Sequence, residues 1–242
     1  MKILTHWSLW VLVALLAACN HAQVQTTESY FGPPLPRPDH IFITYFSITP
    51  EEVRLDQGVG ARLSRAADDQ PLAAQEFRAA QDTQMAVAQH IVDRLRKYGL
   101  PAEVGNTAVS GTNDLLVQGQ IVGIDQGNRT RRILIGLGAG KSSVSADAQI
   151  YRLTQNAPPR FMMAFEGKAE SGRMPGAAET MGAGAVAQRA GTSAMLTGAT
   201  HAGAETRRTS DTAEAGALAD EIASRVGQLA VAQGWIPSTA LK

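Results

Sequence analysis

The chain has 242 residues, 44% hydrophobic and 18% charged, with 22 basic and 22 acidic side chains. That apolar content excludes a wholly disordered chain, and zero net charge gives no support for a nucleic-acid partner, which calls for a basic excess. The single cysteine, Cys19, excludes an intrachain disulfide and a cysteine-built zinc site.

Lys2 precedes an apolar run from Trp7 to Leu16, broken only by Ser8. The run suits the core of a signal peptide and is too short to cross a bilayer, which needs about 20 residues. Leu16-Ala17-Ala18-Cys19 resembles the lipobox of bacterial lipoproteins. The resemblance implies removal of residues 1–18 as a signal peptide, with the cut between Ala18 and Cys19. It also implies a diacylglycerol on Cys19 and an acyl chain, palmitate for example, on the new amine. Several chains anchor stably where one alone is marginal. Asn20, not Asp, follows the cysteine, which in enteric-type sorting favours the outer membrane. The expected location is therefore the outer membrane, lipid-anchored and facing the periplasm.

Residues 19–39 read as the lipidated cysteine and a proline-rich tether, with Pro33, Pro34, Pro36 and Pro38. Polyproline II geometry keeps such a segment out of a sheet; a strap lying on the domain is the alternative. One domain is expected over residues 40–237. His40 to Ile48 predicts a central strand, apolar on both faces. Residues 49–70 lack periodicity and read as a connection. A long helix follows, with Asp69 as cap and Pro71 in its first turn. Its apolar stripe is Phe77, Met85, Ala88, Ile91, Val92, Leu95 and Tyr98, and Gly99 with Pro101 stops it. A short strand can open at Val104.

Asp114 to Ile124 predicts a strand. Ser143 to Leu153 alternates, with Val144, Ala146, Ala148 and Ile150 on one face, as a half-buried antiparallel strand does. Asn156 to Pro159 is a turn, and Arg160 to Ala169 alternates again with Phe161, Met163 and Phe165 inward. Gly and Ala fill 17 of the 34 positions 172–205, half of the segment. This reads as an excursion; a glycine-zipper helix for self-association, on Gly184, Gly191 and Gly198, is the alternative. A final helix is expected from Asp211, with Glu214 completing a capping box and Leu218, Ile222, Val226 and Leu229 as its stripe. Gly234 and Pro237 end it. The predicted fold class is α+β: a mostly antiparallel sheet with two amphipathic helices packed on one face, plus the Gly/Ala-rich excursion.

No motif carries catalysis. Ile135 to Ser142 approaches a phosphate loop, but the required first glycine is Ile135 and a strand pattern follows where a helix is needed. Gly182 to Ala187 fits a loose dinucleotide fingerprint with no strand before it. Arg129, Arg131, Arg132 and Lys141 flank the glycine run and define a candidate anion-binding loop for lipid phosphate, a glycan carboxylate or an acidic surface; a solvated basic turn is the simpler reading. The histidines, His90 among them, show no metal-ligand spacing. Asp114 and Asp125 bracket a strand and suggest turns. No nucleophile elbow occurs. Neither a cofactor nor a metal is expected.

Gln126-Gly-Asn-Arg-Thr-Arg-Arg-Ile-Leu-Ile-Gly-Leu-Gly-Ala-Gly-Lys-Ser-Ser-Val144, followed by an alternating strand, resembles the central signature of domain-of-unknown-function family 4410. The likeness extends through Tyr98-Gly-Leu-Pro101, the Gly/Ala segment and the helix ending Gln233-Gly-Trp-Ile236, over roughly residues 40–237. It implies a bacterial lipoprotein with no assigned activity, so no catalytic residue is carried over. The α+β pattern is also similar to periplasmic lipoprotein modules that assist envelope assembly, an analogy of fold alone. The expected function is a non-catalytic binding or envelope-assembly accessory. Its expected partners are the membrane, through lipid, and an envelope protein or glycan. An enzyme acting on an envelope glycan or lipid, and a homo-oligomer built through the Gly/Ala segment, are the alternatives.

Overall fold

The computed structural model describes residues 21–67, 70–105, 113–135, 139–171 and 202–242, with 202–212 by backbone only. The fold is α+β. Seven strands form one mixed, mostly antiparallel sheet: β1 (His21–Ser29), β2 (Ile41–Ile43), β3 (Val53–Arg54), β4 (Ala102–Val104), β5 (Asn113–Asp125), β6 (Ser143–Thr154) and β7 (Arg160–Glu170). Their order is β1-β7-β6-β5-β2-β4, with β3 beside the far end of β5. β5, β6, β7 and β1 run antiparallel, while β2 lies parallel to both β5 and β4. The helices are α1 (Val59–Ala66), α2 (Leu72–Lys97), the short α3 (Arg129–Leu134) and α4 (Ala202–Ala232).

Alternation sorts the strands into two faces. Leu115, Val117 and Ile121 of β5, with Val144, Ala146, Ala148 and Ile150 of β6, enter the main core. That core also holds Val87, Ile91 and Leu95 of α2 and Leu218, Ile222 and Val226 of α4. Each such side chain contributes about 1.5–3 kcal/mol when fully buried. Leu116, one residue out of phase, joins Phe42 and Leu153 in a small second cluster on the opposite face.

Several expectations are corrected. The segment expected as a tether pairs: His21 to Ser29 is an edge strand on β7, with a bulge between Thr26 and Glu28. The prolines begin only at Pro33, so Val24, Gln25 and Thr26 are free to pair. Residues 30–39 then form the strap given above as the alternative. The Trp235 indole donates to the Leu35 carbonyl at 2.8 Å, the Leu35 N–H to Gln233 Oε1 at 2.7 Å, and Arg37 to the Gly99 carbonyl at 2.6 Å. The connection expected over 49–70 contains β3 and α1.

Phe77 and Met85 are exposed on α2; Ala88, Ile91, Val92, Leu95 and Tyr98 are buried as expected, and Ala80, Thr83 and Val87 extend that row. Phe161 does not point inward. A bulge between Ile150 and Tyr151 opposes Met163 to Ile150 but Phe161 to Tyr151, which moves Phe161 to the second face. The last helix begins at Ala202, not Asp211, because the preceding Ala, Glu and Arg residues favour helix. Positions 172–201, the bulk of the Gly/Ala segment, lie outside the described residues, as does Asp69.

Candidate functional site

The connection between β5 and β6, residues 126–142, holds the predicted cations. Asp125 Oδ1 accepts the Gly127 N–H at 2.7 Å, turning the chain out of the strand. Gly127 and Gly140 both have positive φ, 70° and 73°, and the Asn128 N–H donates to the Gly140 carbonyl at 3.1 Å. These bonds close a narrow neck at the sheet end. Beyond it, Asn128 Oδ1 accepts the Arg131 N–H at 2.9 Å and starts α3. The three arginines therefore sit on a short helix, not on a glycine loop.

Of the four expected cations, Arg131 and Lys141 have described side chains, and these two face different surroundings. Arg131 is exposed. Lys141 turns back to the sheet and pairs with Glu170 at 3.1 Å, while Lys168 takes the other oxygen of Glu170 at 2.7 Å. The hydrogen bond from Lys168, then that from Lys141, holds the Glu170 carboxyl below its usual range. Positions 129 and 132 are placed on α3 by backbone alone. Cys19 and Ala18 lie outside the described residues, but β1 opens at His21, two residues after Cys19.

Behind the neck lies a buried polar network that the sequence reading missed. The Ser142 hydroxyl donates to Glu214 Oε1 at 2.9 Å, and Ser142 and Ser171 exchange bonds, N–H to Oγ at 3.0 Å and N–H to carbonyl at 2.9 Å. Glu214 is thus an interior residue of α4 and not part of a capping box. Its four-residue offset from Leu218, the first residue of the predicted stripe, was the available signal.

Arg152 was also missed. It is buried on β6 beneath the proline strap, donates to the Pro36 carbonyl at 3.2 Å, and burial lowers its guanidinium pKa. Asp114 is fully buried, accepting the His40 N–H at 3.1 Å, at the opposite end of the 13-residue strand β5 from Asp125. The two carboxylates cannot act as a pair.

The second sheet face carries an aromatic cluster. His40 stacks on Phe42 at 5.7 Å, and Tyr151 meets Phe161 edge to face at 5.8 Å. Gln118 and Gln149, a cross-strand pair, continue that face. Among the described residues no three His, Cys, Asp or Glu side chains group as metal ligands, and no helix is long and apolar enough to cross a membrane.

The sequence profile of the family described as Domain of unknown function (DUF4410) matches residues 41–188. The chain belongs to the DUF4410 family. None of the curated proteins matches it significantly. The matched span of this DUF4410 chain includes the whole 126–142 neck but ends before α4, which supplies Glu214 to the network behind it.

Proposed function

We propose that this DUF4410 protein is a lipid-anchored periplasmic binding or envelope-assembly accessory, held to the outer membrane through Cys19 and acting without catalysis. The observation that carries the reading is that β1 opens at His21, two residues after Cys19. Because β1 is a strand of the sheet, a lipid on Cys19 fastens the body itself to the bilayer. A second feature supports a binding role. α2 and α4 share the main core with one face of the sheet, which leaves Tyr151 and Phe161 on the other face, beside Gln118 and Gln149, for an envelope protein or glycan. Amphipathic aromatics next to amide side chains suit both apolar contact and hydrogen bonding.

Metabolic labelling with an alkynyl palmitate, followed by fractionation, tests the anchor. The wild-type chain is expected to carry label in the membrane fraction, and Cys19→Ala to lose both label and membrane residence. Retention of both by Cys19→Ala would sink the reading. Photo-crosslinking from position 161 in intact cells tests the binding role. Recovery of monomer alone would remove it.

A further inference from the structure

The strand register gathers distant residues at one end of the sheet. His21 opposes Glu170, Glu170 opposes Ser143, Ser143 opposes Asp125, and Asp125 opposes Arg54. Cys19 precedes His21 by two residues, a reach of at most about 7 Å. His21 and Asp125 are three strand spacings apart, roughly 14 Å. By chain reach, Cys19 therefore lies within about 20 Å of whatever protrudes from this end.

Two helices protrude there. α1 follows β3, and α3 follows β5. Three hydrogen bonds join the segments that lead into them: the Gln126 N–H to the Arg54 carbonyl at 2.9 Å, the Asp56 N–H to Gln126 Oε1 at 3.0 Å, and the Gln57 N–H to the Gly127 carbonyl at 3.1 Å. A Cβ on Gly58 would sit 2.8 Å from Thr130 Oγ1, so the two helices start side by side. Both leave large apolar side chains in water: Val59 is 63% exposed, Leu63 67%, Leu134 57% and Ile135 47%. Arg54, Arg62 and Arg131 are exposed among them, and no carboxylate among the described residues pairs with any of the three. Three described acids at this end are engaged locally. Asp125 accepts the Gly127 N–H, Asp56 the Gly58 N–H, and Glu170 is held by Lys141 and Lys168.

Exposed aliphatics interleaved with arginines are what an interfacial surface presents to a bilayer: the aliphatics enter the headgroup boundary and the guanidinium groups meet lipid phosphate. We propose that α1 and α3 form a seat on which the body rests against anionic phospholipid headgroups. This rests on the lipid-anchor reading, which supplies the proximity. Once the chain is anchored, even a weak seat is occupied, because the local lipid concentration is high.

The test uses the acylated full-length protein in phosphatidylethanolamine–phosphatidylglycerol vesicles. If Cys19 is thioether-linked to lipid, Leu63→Cys, Leu134→Cys and Phe161→Cys each offer one thiol for a fluorophore, read against a headgroup-attached quencher. Labels at 63 and 134 are expected to be quenched several-fold more than the label at 161. Equal quenching, or stronger quenching at 161, overturns the seat. Arg62→Glu with Arg131→Glu should bring quenching at 134 down to the level at 161, and Lys97→Glu, at the opposite end, should leave it unchanged.

The unacylated Cys19→Ser chain separates this failure from failure of the anchor. It should sediment with anionic vesicles and bind phosphatidylcholine vesicles roughly tenfold more weakly. Palmitate labelling together with equal quenching at 63, 134 and 161 would leave the anchor and remove the seat. Anionic sedimentation by a chain that takes no palmitate would leave the seat and remove the anchor. Equal binding to both vesicle types, or self-association in place of binding, overturns the seat.

Discussion

Gly127 and Gly140 face one another across the neck of the 126–142 connection. A Cβ on Gly127 would overlap the carbonyl oxygens of Lys141 and Gly140, and its φ of 70° is one that side-chain-bearing residues seldom adopt. Gly127→Ala is expected to destabilise the protein by about 2 kcal/mol or more. Gly60→Ala, where a Cβ meets nothing within 4 Å, should be neutral or stabilising by up to about 1 kcal/mol. Equal urea midpoints for the two variants would show that the neck bears no such constraint. Glu170 gives a pH signature. Its carboxyl is held below the ordinary 4.5 by Lys168 first and Lys141 second, so its stabilisation is present above that value and is lost as pH falls through the lower, folded value. At 36% side-chain exposure each pair is worth less than about 1 kcal/mol. Glu170→Gln should therefore lower the urea midpoint at neutral pH and match the wild type in acid. A gap that persists in acid would mean the ion pairs are not its source.

At the scale of elements, β1 and α2 show where local pattern yields to packing. Val24 is buried on β1, and a Cβ on Gly167 would lie 2.8 Å from Val24 and 2.7 Å from Leu218. β1, β7 and α4 thus meet at one glycine, which lets the helix approach the sheet. Val24→Ala should cost about 1–3 kcal/mol in chemical denaturation, where a free tether would give no change. On α2 the sequence stripe placed Phe77 and Met85 inward. The buried row starts at Ala80 and Thr83 instead, small residues that suit a close helix–sheet approach. Hydrophobicity alone favoured the larger side chains, and only the neighbouring elements decide which face is covered.

For the whole molecule, the main core joins the first strand to the last helix. The span that matches DUF4410, residues 41–188, contains neither β1 nor α4. It therefore lacks Val24, Leu218, Ile222, Ala223 and Val226, and it uncovers the edge of β7. Expressed alone, that span is expected to show no cooperative thermal transition, while residues 20–242 show one. A cooperative transition in the short fragment would mean that β1 and α4 are accessories. Zero net charge also acquires a location: Arg54, Arg62 and Arg131 stand exposed at the sheet end where β1 opens, where Asp56 and Asp125 are engaged in local bonds.

The sequence by itself determined the elements whose period is local. β6 and β7 were legible to within a residue or so from alternation, β5 as closely from its apolar run, and the end of α2 from Gly99, whose φ is 78°. Of the candidate site, the turn chemistry at Asp125 was visible in residue type, but the helix start at Asn128 and the pairing of Lys141 with Glu170 were not read from it. Tertiary structure alone decided that pairing, the bonding of Glu214 to Ser142, the turning of Phe161 by a bulge, and the gathering of α1, α3 and His21 at one sheet end. The reason is register. It joins residues far apart in the chain, such as His21 and Glu170, and nothing in the local pattern of either strand specifies its partner.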